Sequence, residues 1–457
     1  MLKKIGFTIL IILGIVFTVG YFRYNPTVNI TNTIPAYADV VIRVNLREIE
    51  YNILKDVVRH PFLYFKSNEK TTKNQEQSKN KISLFDAIEI PTDVFFYTNE
   101  HSLKDTWVSN VLKLKSKSNL QAFFKQEKIV KKNTQQGVIY FTYKQRVFFI
   151  RNNEVRVLFS FKKIKNIADK LSFISQENGY LSTSDKIIDN IKNSTQLIAI
   201  ATTKDVFFEL GINGKTVVVN GELAEKKSPF LSYKAKSSAT SLMQASGKIN
   251  KPFLFDFLGK KQKDNFKKLT TLSLDSIRNK WNGEFDVDLA SFINQKDTIV
   301  TYEYDDDFNK ISKTTIQENV IPNASFRIGG ATFSEYLYFK EAIKNIDTDS
   351  LLVLNPFFKT YASEQKNSLF LYSTKDKIAS NFKQDEKHRF SLFFNAEKYF
   401  ETEKGTYHAA NKYLLPIKTI NAFVTSTNKI AVNINFKESP QSYMYQLLRK
   451  SNTKQKQ

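Results

Sequence analysis

The chain begins with an unbroken apolar run and then changes to alternating apolar and polar positions. Residues 5–22 contain no charged side chain. At about 1.5 Å per residue a helix over this run nearly spans the roughly 30 Å hydrocarbon core of a bilayer. Lys3 and Lys4 precede the run, which favours a cytoplasmic N-terminus. The pattern predicts a single-pass anchor, with the bulk of the chain outside the cytoplasm in the periplasm.

A cleaved secretory signal is the main alternative for this segment. Such a signal has a shorter apolar centre and a cleavage site between small residues. Residues 18–24 contain no Ala-x-Ala pattern, and the chain contains no cysteine that could carry a lipid. The uncleaved anchor is therefore favoured, and secretion after signal cleavage is the alternative.

The chain beyond the apolar run repeats one local pattern, in which a strand runs directly into an amphipathic helix. The helical positions are apolar at spacings of three and four, as one buried helix face requires. Pro252 follows the third strand and Ser439-Pro440 the last, as is typical of a first helical turn. The five predicted strands are residues 38–45, 108–115, 245–250, 389–395 and 431–436.

Hairpin signals lie between these junctions and favour antiparallel pairing. Asn213-Gly214 separates two β-branched runs, and Asn-Gly suits the tight turn because both central residues need positive φ. Asn220-Gly221 repeats the signal, and residues 298–304 and 311–317 form a further predicted hairpin. After Ser334, the predicted cap, one helix face is expected to hold Tyr336, Phe339, Ile343 and Ile346.

Together these elements predict an α+β fold. We expect two lobes of mainly antiparallel sheet with helices packed on one face, after an N-terminal transmembrane helix. Residues 66–81 lack any apolar side chain and predict a mobile loop. The predicted organisation is an anchor at 1–23, a stalk at 24–33, a first lobe at 34–225, a second lobe at 226–448 and a disordered basic tail at 449–457.

This arrangement resembles a group of uncharacterised bacterial envelope proteins. These are single-pass, membrane-anchored chains with repeated strand-helix-strand-strand units, classed as domains of unknown function. The resemblance lies in residues 34–45, IPAYADVVIRVN, which follow the anchor, and in residues 108–161, where QGVIY at 136–140 opens the later strands. It implies an envelope location and an α+β fold, and it implies no catalytic residue.

Composition narrows the partners of the chain. Its formal charge of +23 over 457 residues favours an anionic partner. The predicted topology makes nucleic acid an unexpected partner and leaves other envelope proteins, anionic envelope polymers and lipid headgroups. The chain contains no cysteine, which excludes disulfides and thiolate chemistry.

Sequence motifs for catalysis or cofactor binding are weak. Gly214-Lys215-Thr216 ends like a phosphate-binding loop, yet it runs into a strand instead of a helix, which favours a hairpin turn. The acidic run at 305–307 lacks the spacing and the glycine of a calcium loop. The histidines are scattered singly, so no zinc-binding pair is predicted. We therefore predict no cofactor and no metal.

A row of carboxylates is the one regular acidic pattern. Glu284, Asp286 and Asp288 alternate along a predicted strand and share one face. An exposed polar face is the favoured interpretation, and a hydrolase would need these groups to converge with others in a cleft. Trp107 and Trp281 are interpreted as core residues.

The densest basic cluster is the candidate binding surface. It consists of Lys260, Lys261, Lys263, Lys267 and Lys268, opposed only by Asp264. The sequence leaves three functions open. The leading one is a non-enzymatic, membrane-tethered envelope protein whose ectodomain is a structural or interaction module. A module that binds an anionic envelope polymer or lipid through lysine-rich surfaces is the alternative, and a carboxylate hydrolase is the third.

Overall fold

The structure, a computed structural model, describes residues 34–60, 82–99, 107–133, 138–143, 145–160, 164, 166–175, 179–182, 184–203, 206–224, 228–237, 241–304, 308–355, 357–375, 383–384, 388–402 and 414–438. The predicted anchor, stalk, loop at 66–81, acidic run at 305–307, helix after Ser439-Pro440 and basic tail lie outside these ranges. Within the described ranges, no helix is both long and apolar enough to cross a membrane. The anchor at residues 5–22 stays a prediction.

The chain separates into two compact units. The described residues up to Gly214 form the first unit, and Lys215–Glu438 forms the second. The division therefore falls after Gly214, whereas the sequence pattern placed it after residue 225. Both units are α+β and mainly antiparallel sheet, as the sequence predicted.

The first unit contains nine strands among its described residues. They pair antiparallel in the order β9-β8-β1-β2-β3-β7-β6-β5-β4. The strands are β1 Val40–Asn45, β2 Asp93–Thr98, β3 Trp107–Lys113, β4 Val130–Asn133, β5 Ile139–Tyr143, β6 Arg146–Arg151, β7 Glu154–Ser160, β8 Ile198–Thr202 and β9 Phe207–Asn213. The helices are α1 Leu46–Arg59, α2 Lys117–Gln126, α3 Ile167–Ser175 and α4 Lys186–Asn193, with a 3-10 turn at Leu84–Asp86.

The first two strand-helix junctions are confirmed, and side-chain caps explain where their helices begin. The Asn45 side chain accepts from the Glu48 amide at 3.0 Å, so α1 begins directly after β1. Ser116 caps α2 in the same way through the Asn119 amide at 3.2 Å. These caps are local interactions, which is why the sequence pattern located the junctions.

Helices pack on both faces of the sheet in the first unit. Val147 and Phe149 of β6 pack in one apolar cluster with Leu171 of α3, while Phe148 between them packs in another with Phe124 of α2. Successive strand residues point to opposite faces. Because β6 is apolar on both faces, each face needs a cover. The prediction of helices on one face only is therefore wrong for this unit.

A buried arginine ties β1 to its neighbours in the first unit. Arg43 is only 6% exposed, and its Nε lies 2.7 Å from the Asp93 carboxylate. Its guanidinium also donates to the carbonyl oxygens of Ile191 at 2.9 Å and Ser194 at 2.6 Å. The charge is thus fully engaged, as a buried cation requires.

The second unit has a larger antiparallel sheet. Its described strands pair in the order β10-β22-β21-β20-β12-β13-β14-β18-β17-β16-β15. They are β10 Thr216–Glu222, β12 Met243–Lys248, β13 Glu284–Tyr304, β14 Lys310–Gly329, β15 Ile343–Ile346, β16 Asp349–Leu352, β17 Tyr361–Gln365, β18 Ser368–Tyr372, β20 His388–Asn395, β21 Ile417–Thr425 and β22 Lys429–Phe436, and β11 Lys236–Ser237 pairs separately with β19 Lys383–Gln384. The helices are α5 Lys251–Phe257, α6 Lys260–Thr270, α7 Leu274–Lys280, α8 Ala331–Phe339 and α9 Ala396–Thr402.

Two strands of this unit extend far beyond the sheet. β13 pairs with β12 only through residues 284–289, and β14 pairs with β18 only through residues 325–329. From Ser291 to Tyr304, β13 pairs with no described strand except β14. This two-stranded ribbon, residues 291–304 and 310–323, is called the β-arm below. It confirms the predicted hairpin, and both strands continue further from the turn than predicted.

Two local predictions for the second unit are wrong. The helix predicted to include Ile343 and Ile346 ends at Phe339, and those two residues begin and end β15. Their β-branched side chains fit a strand better than a helix. The predicted turn at Asn220-Gly221 lies inside β10, where both residues pair with β22. Cross-strand partners override the local turn signal there.

Candidate functional site

The predicted basic surface lies on α6 in the second unit. Lys260, Lys261, Lys267 and Lys268 are exposed there. Lys263 differs, because its Nζ lies 2.9 Å from the Asp275 carboxylate of α7. The structure therefore presents four of the five predicted lysines to solvent and engages the fifth in an ion pair.

One aromatic side chain orients α6. Phe266, like Ile277 and Trp281, is partly buried and packs against the buried apolar cluster of the second unit. At 3.6 residues per turn, the lysines project mainly away from the side that carries Phe266. The helix ends at Thr270, and the next residue, Thr271, has a left-handed φ of 61° and donates its amide to the Lys267 carbonyl at 2.9 Å. Packing on one side thus leaves the basic side uncovered.

The exposed lysines of α6 have no acidic partner in the described part of the chain. No ion pair joins Lys260, Lys261, Lys267 or Lys268 to a described carboxylate. Their charge is therefore available to an anionic ligand. We call these four residues the basic face.

The carboxylate row lies on β13, and its interpretation as an exposed face is wrong for two members. Asp286 is 3% exposed and Asp288 is 2% exposed. Glu284 is less buried, and its carboxylate lies 3.3 Å from Lys248 Nζ and 3.5 Å from an Arg327 guanidinium nitrogen. The alternation of the strand was predicted, but not the cover that buries its polar side.

Asp286 is the centre of a buried polar cluster. Its Oδ2 lies 2.7 Å from Lys236 Nζ and 2.5 Å from Arg327 Nε. Ser246 donates to its Oδ1 at 2.7 Å, and the Tyr233 hydroxyl lies 3.4 Å from the same oxygen. The segment that carries Tyr233 and Lys236 packs over this side of the sheet.

The cluster shifts the acidity of its members in opposite directions. Burial alone would raise the pKa of Asp286, but hydrogen bonds from Lys236, Ser246 and Arg327 outweigh burial and hold the pKa below its usual value. Burial, reinforced by the Asp286 charge, raises the pKa of Tyr233 to about 12. The carboxylate is therefore ionised and the phenol neutral across the neutral pH range.

Asp288 has the opposite environment although it lies only two residues along β13. Its Oδ1 makes no hydrogen bond within the described part of the protein. Burial raises its pKa, and a hydrogen bond from Ser241 only partly offsets the shift. A carboxylate in this position is costly to ionise.

We predict that Asp288→Asn leaves the fold at least as stable as the wild type at pH 7, with a gain of up to about 1 kcal/mol. The amide keeps the shape and removes a poorly compensated charge. A carboxyl with a raised folded-state pKa stabilises the fold at low pH and loses that contribution as pH rises through the folded pKa. The advantage of the variant should therefore shrink on acidification, measured by urea unfolding from pH 7 to pH 4. A variant that is less stable at pH 7 would contradict the assignment.

The buried carboxylates have little access to a substrate. Catalytic carboxylates must reach the reacting bond, but Asp286 lies beneath the segment that carries Tyr233 and Lys236, and Asp288 is only 2% exposed. The Asp286 carboxylate also forms ion pairs with Lys236 and Arg327. The arrangement fits an ion-pair cluster that holds the covering segment on the sheet.

Other sequence candidates have structural roles in the described residues. Gly214 has a φ of 60° and lies in the turn before β10, so no helix follows the Gly-Lys-Thr sequence, as predicted. Trp107 is buried at 2% exposure, which confirms its core interpretation. Trp281 is partly buried against the apolar cluster of the second unit, and its Nε1 donates to the Glu284 carbonyl at 2.7 Å.

An open groove lies at the base of the β-arm. It encloses about 750 Å³, and its walls include Lys296, Leu351, Phe357 and Lys359. Lys296 is held 3.2 Å from the Glu318 carboxylate across the β-arm. Asn355 is likewise used internally, since its side chain donates to Thr360 Oγ1 at 2.9 Å. The groove thus offers fewer free polar groups than its composition suggests.

Comparison with known proteins gives no family. No protein-family model matches the chain, and no curated protein matches it. Among solved structures, crystal forms IV, III and I of TP0453 match at 9%, 10% and 10% identity, with TM-scores of 0.22, 0.21 and 0.22. The matches cover 74%, 74% and 76% of this chain and 87%, 90% and 93% of the other. Such low TM-scores do not establish a shared fold, so nothing is transferred from TP0453.

Proposed function

We propose that the protein is a membrane-tethered, non-enzymatic envelope protein whose second unit is an interaction module for a polyanionic partner. The observation that carries this proposal is the basic face on α6. Four exposed lysines lie within one 11-residue helix and pair with no described carboxylate. The predicted anchor at residues 5–22 would hold the module at the membrane outside the cytoplasm.

Electrostatics give the module its affinity. A lysine close to an anionic surface contributes about 1 kcal/mol. Because the basic face is exposed, this attraction should weaken as added salt shortens the screening length. The formal charge of +23 on the whole chain strengthens the long-range part of the attraction.

A hydrolase has less support. Two of the three carboxylates it would use are buried, and one of these, Asp286, is paired with Lys236 and Arg327. These ion pairs support a structural role for Asp286, which stabilises the packing of the covering segment on the sheet. Partner binding through α6 needs no such buried group.

The test replaces Lys260, Lys261, Lys267 and Lys268 together by glutamine. The charge-matched control replaces four exposed lysines of the first unit, Lys115, Lys117, Lys131 and Lys132. Binding of full-length protein in non-ionic detergent to long-chain polyphosphate is measured at about 50 mM salt. We expect the α6 variant to bind more than about tenfold more weakly than the wild type.

The control variant should keep most of the wild-type affinity, although it loses the same number of charges. An equal loss in both variants would mean that net charge and not the basic face binds polyphosphate. Unchanged binding in the α6 variant would overturn the proposal directly.

A further inference from the structure

We infer that the partner of the basic face is an anionic lipid bilayer, into which Leu269 and Phe339 insert. The inference rests on the proposed function and names the partner class for the same surface. It depends on two apolar side chains that α6 and α8 present to solvent. By helical spacing Leu269 lies on the Phe266 side of α6, and two lysines of the basic face, Lys261 and Lys268, border it at about 80° and about 100° around the helix.

Leu269 and Phe339 are unusually uncovered for large apolar residues. Leu269 is 85% exposed and directly follows Lys267 and Lys268 in α6. Phe339 is 79% exposed at the end of α8, with Lys340 Nζ 5.2 Å from the centre of its ring. Each apolar side chain is therefore accompanied by lysine.

The fold brings the segment that follows α6 against α8. The Ser273 amide donates to the Tyr336 hydroxyl of α8 at 3.0 Å. Leu272 and Tyr336 share the same buried cluster. Leu269 lies three residues before Leu272, and Phe339 lies three residues after Tyr336. Each exposed side chain thus lies three residues along the chain from the contact between Leu272 and Tyr336.

A bilayer satisfies both parts of this surface, whereas a soluble polyanion satisfies one. Anionic headgroups complement the basic face, and the boundary between headgroups and acyl chains takes up leucine and phenylalanine. The aliphatic part of a lysine side chain can also lie along the apolar region while its ammonium group stays among the headgroups. A dissolved polymer would leave Leu269 and Phe339 in water. Charge complementarity together with apolar exposure therefore favours lipid.

The experiment uses the absence of cysteine from the chain. Leu269→Cys and Phe339→Cys each create one site for an environment-sensitive dye such as NBD, with little disturbance because both positions are exposed. Phe85→Cys and Phe308→Cys are matched controls, since these residues are 66% and 86% exposed. Full-length protein is reconstituted in phosphatidylcholine vesicles with or without phosphatidylglycerol, and nitroxide-labelled lipid quenches any dye within the bilayer.

We expect a blue shift and strong quenching for dyes at positions 269 and 339 only when phosphatidylglycerol is present. Both signals should disappear in high salt and in the four-lysine α6 variant, while the control positions stay unquenched. Absence of quenching at 269 and 339, or quenching that is equal at the control positions, overturns the bilayer inference. If polyphosphate binding persists in that case, the proposed function stands with a polymer as partner; if it is lost as well, both fail.

Discussion

Asp286→Ala is expected to destabilise the second unit by about 3–5 kcal/mol at pH 7. The substitution leaves Lys236 and Arg327 without their shared carboxylate, 2.7 Å and 2.5 Å away in the native protein. A buried pair that loses one partner costs more than the pair contributed, because the remaining charge stays desolvated. The Ser246 hydroxyl also loses the acceptor of its hydrogen bond.

Because each unit contains one tryptophan, the unfolding of the second unit can be followed separately from that of the first. Trp281 lies in the second unit and Trp107 in the first, and the chain has no other tryptophan. In a Trp107→Phe background, urea unfolding followed by tryptophan fluorescence reports the second unit of the full-length protein in detergent. Asp275→Ala is the control, because Asp275 is 68% exposed and its ion pair should contribute no more than about 1 kcal/mol.

The effect of Asp286 should depend on pH with a definite sign. A carboxylate whose folded-state pKa is lowered stabilises the fold above its unfolded pKa and loses that contribution as pH falls through the folded value. The difference between wild type and Asp286→Ala should therefore be constant near neutrality and shrink only below about pH 4. A difference under about 1 kcal/mol at pH 7 would show that the cluster does not hold the covering segment.

Arg43→Met is expected to destabilise the first unit by a similar amount, about 3–5 kcal/mol. It removes the cation that faces Asp93 and two donors that satisfy the carbonyl groups of Ile191 and Ser194. Fluorescence of Trp107 in a Trp281→Phe background follows this unit. Lys132→Met is the control, because Lys132 is exposed.

A double variant separates the ion pair from the carbonyl contacts. Asp93→Ala alone leaves Arg43 with its carbonyl partners, and combining it with Arg43→Met removes both charges. The combined loss should be smaller than the sum of the single losses, because no unpaired charge remains in the double variant. Strict additivity would mean that Arg43 and Asp93 act independently despite their separation of 2.7 Å.

Local interactions explain what the sequence could predict. Asn45 and Ser116 cap helices within three residues, and Gly214 serves a tight turn, so these features depend on neighbours in the sequence. The basic side of α6 was equally visible, because helical spacing alone separates its lysines from Phe266. The α+β class follows from such elements.

Long-range contacts explain what the sequence could not show. Alternation placed Asp286 on one face of a strand, but nothing near it specified Lys236 or Arg327, which are 50 and 41 residues away. The sequence pattern of a polar strand face is the same whether water or another segment of the chain covers that face.

The β-arm gives the second unit a part with its own, lower stability. Beyond Ser291 each strand has one paired edge and one edge without a described partner, and a two-stranded ribbon is only marginally stable in water. At roughly 3.3 Å per residue, each strand of the β-arm reaches about 45 Å. The β-arm can therefore fray and re-form while the sheet beneath it stays intact, so opening at this end need not lead to unfolding of the unit.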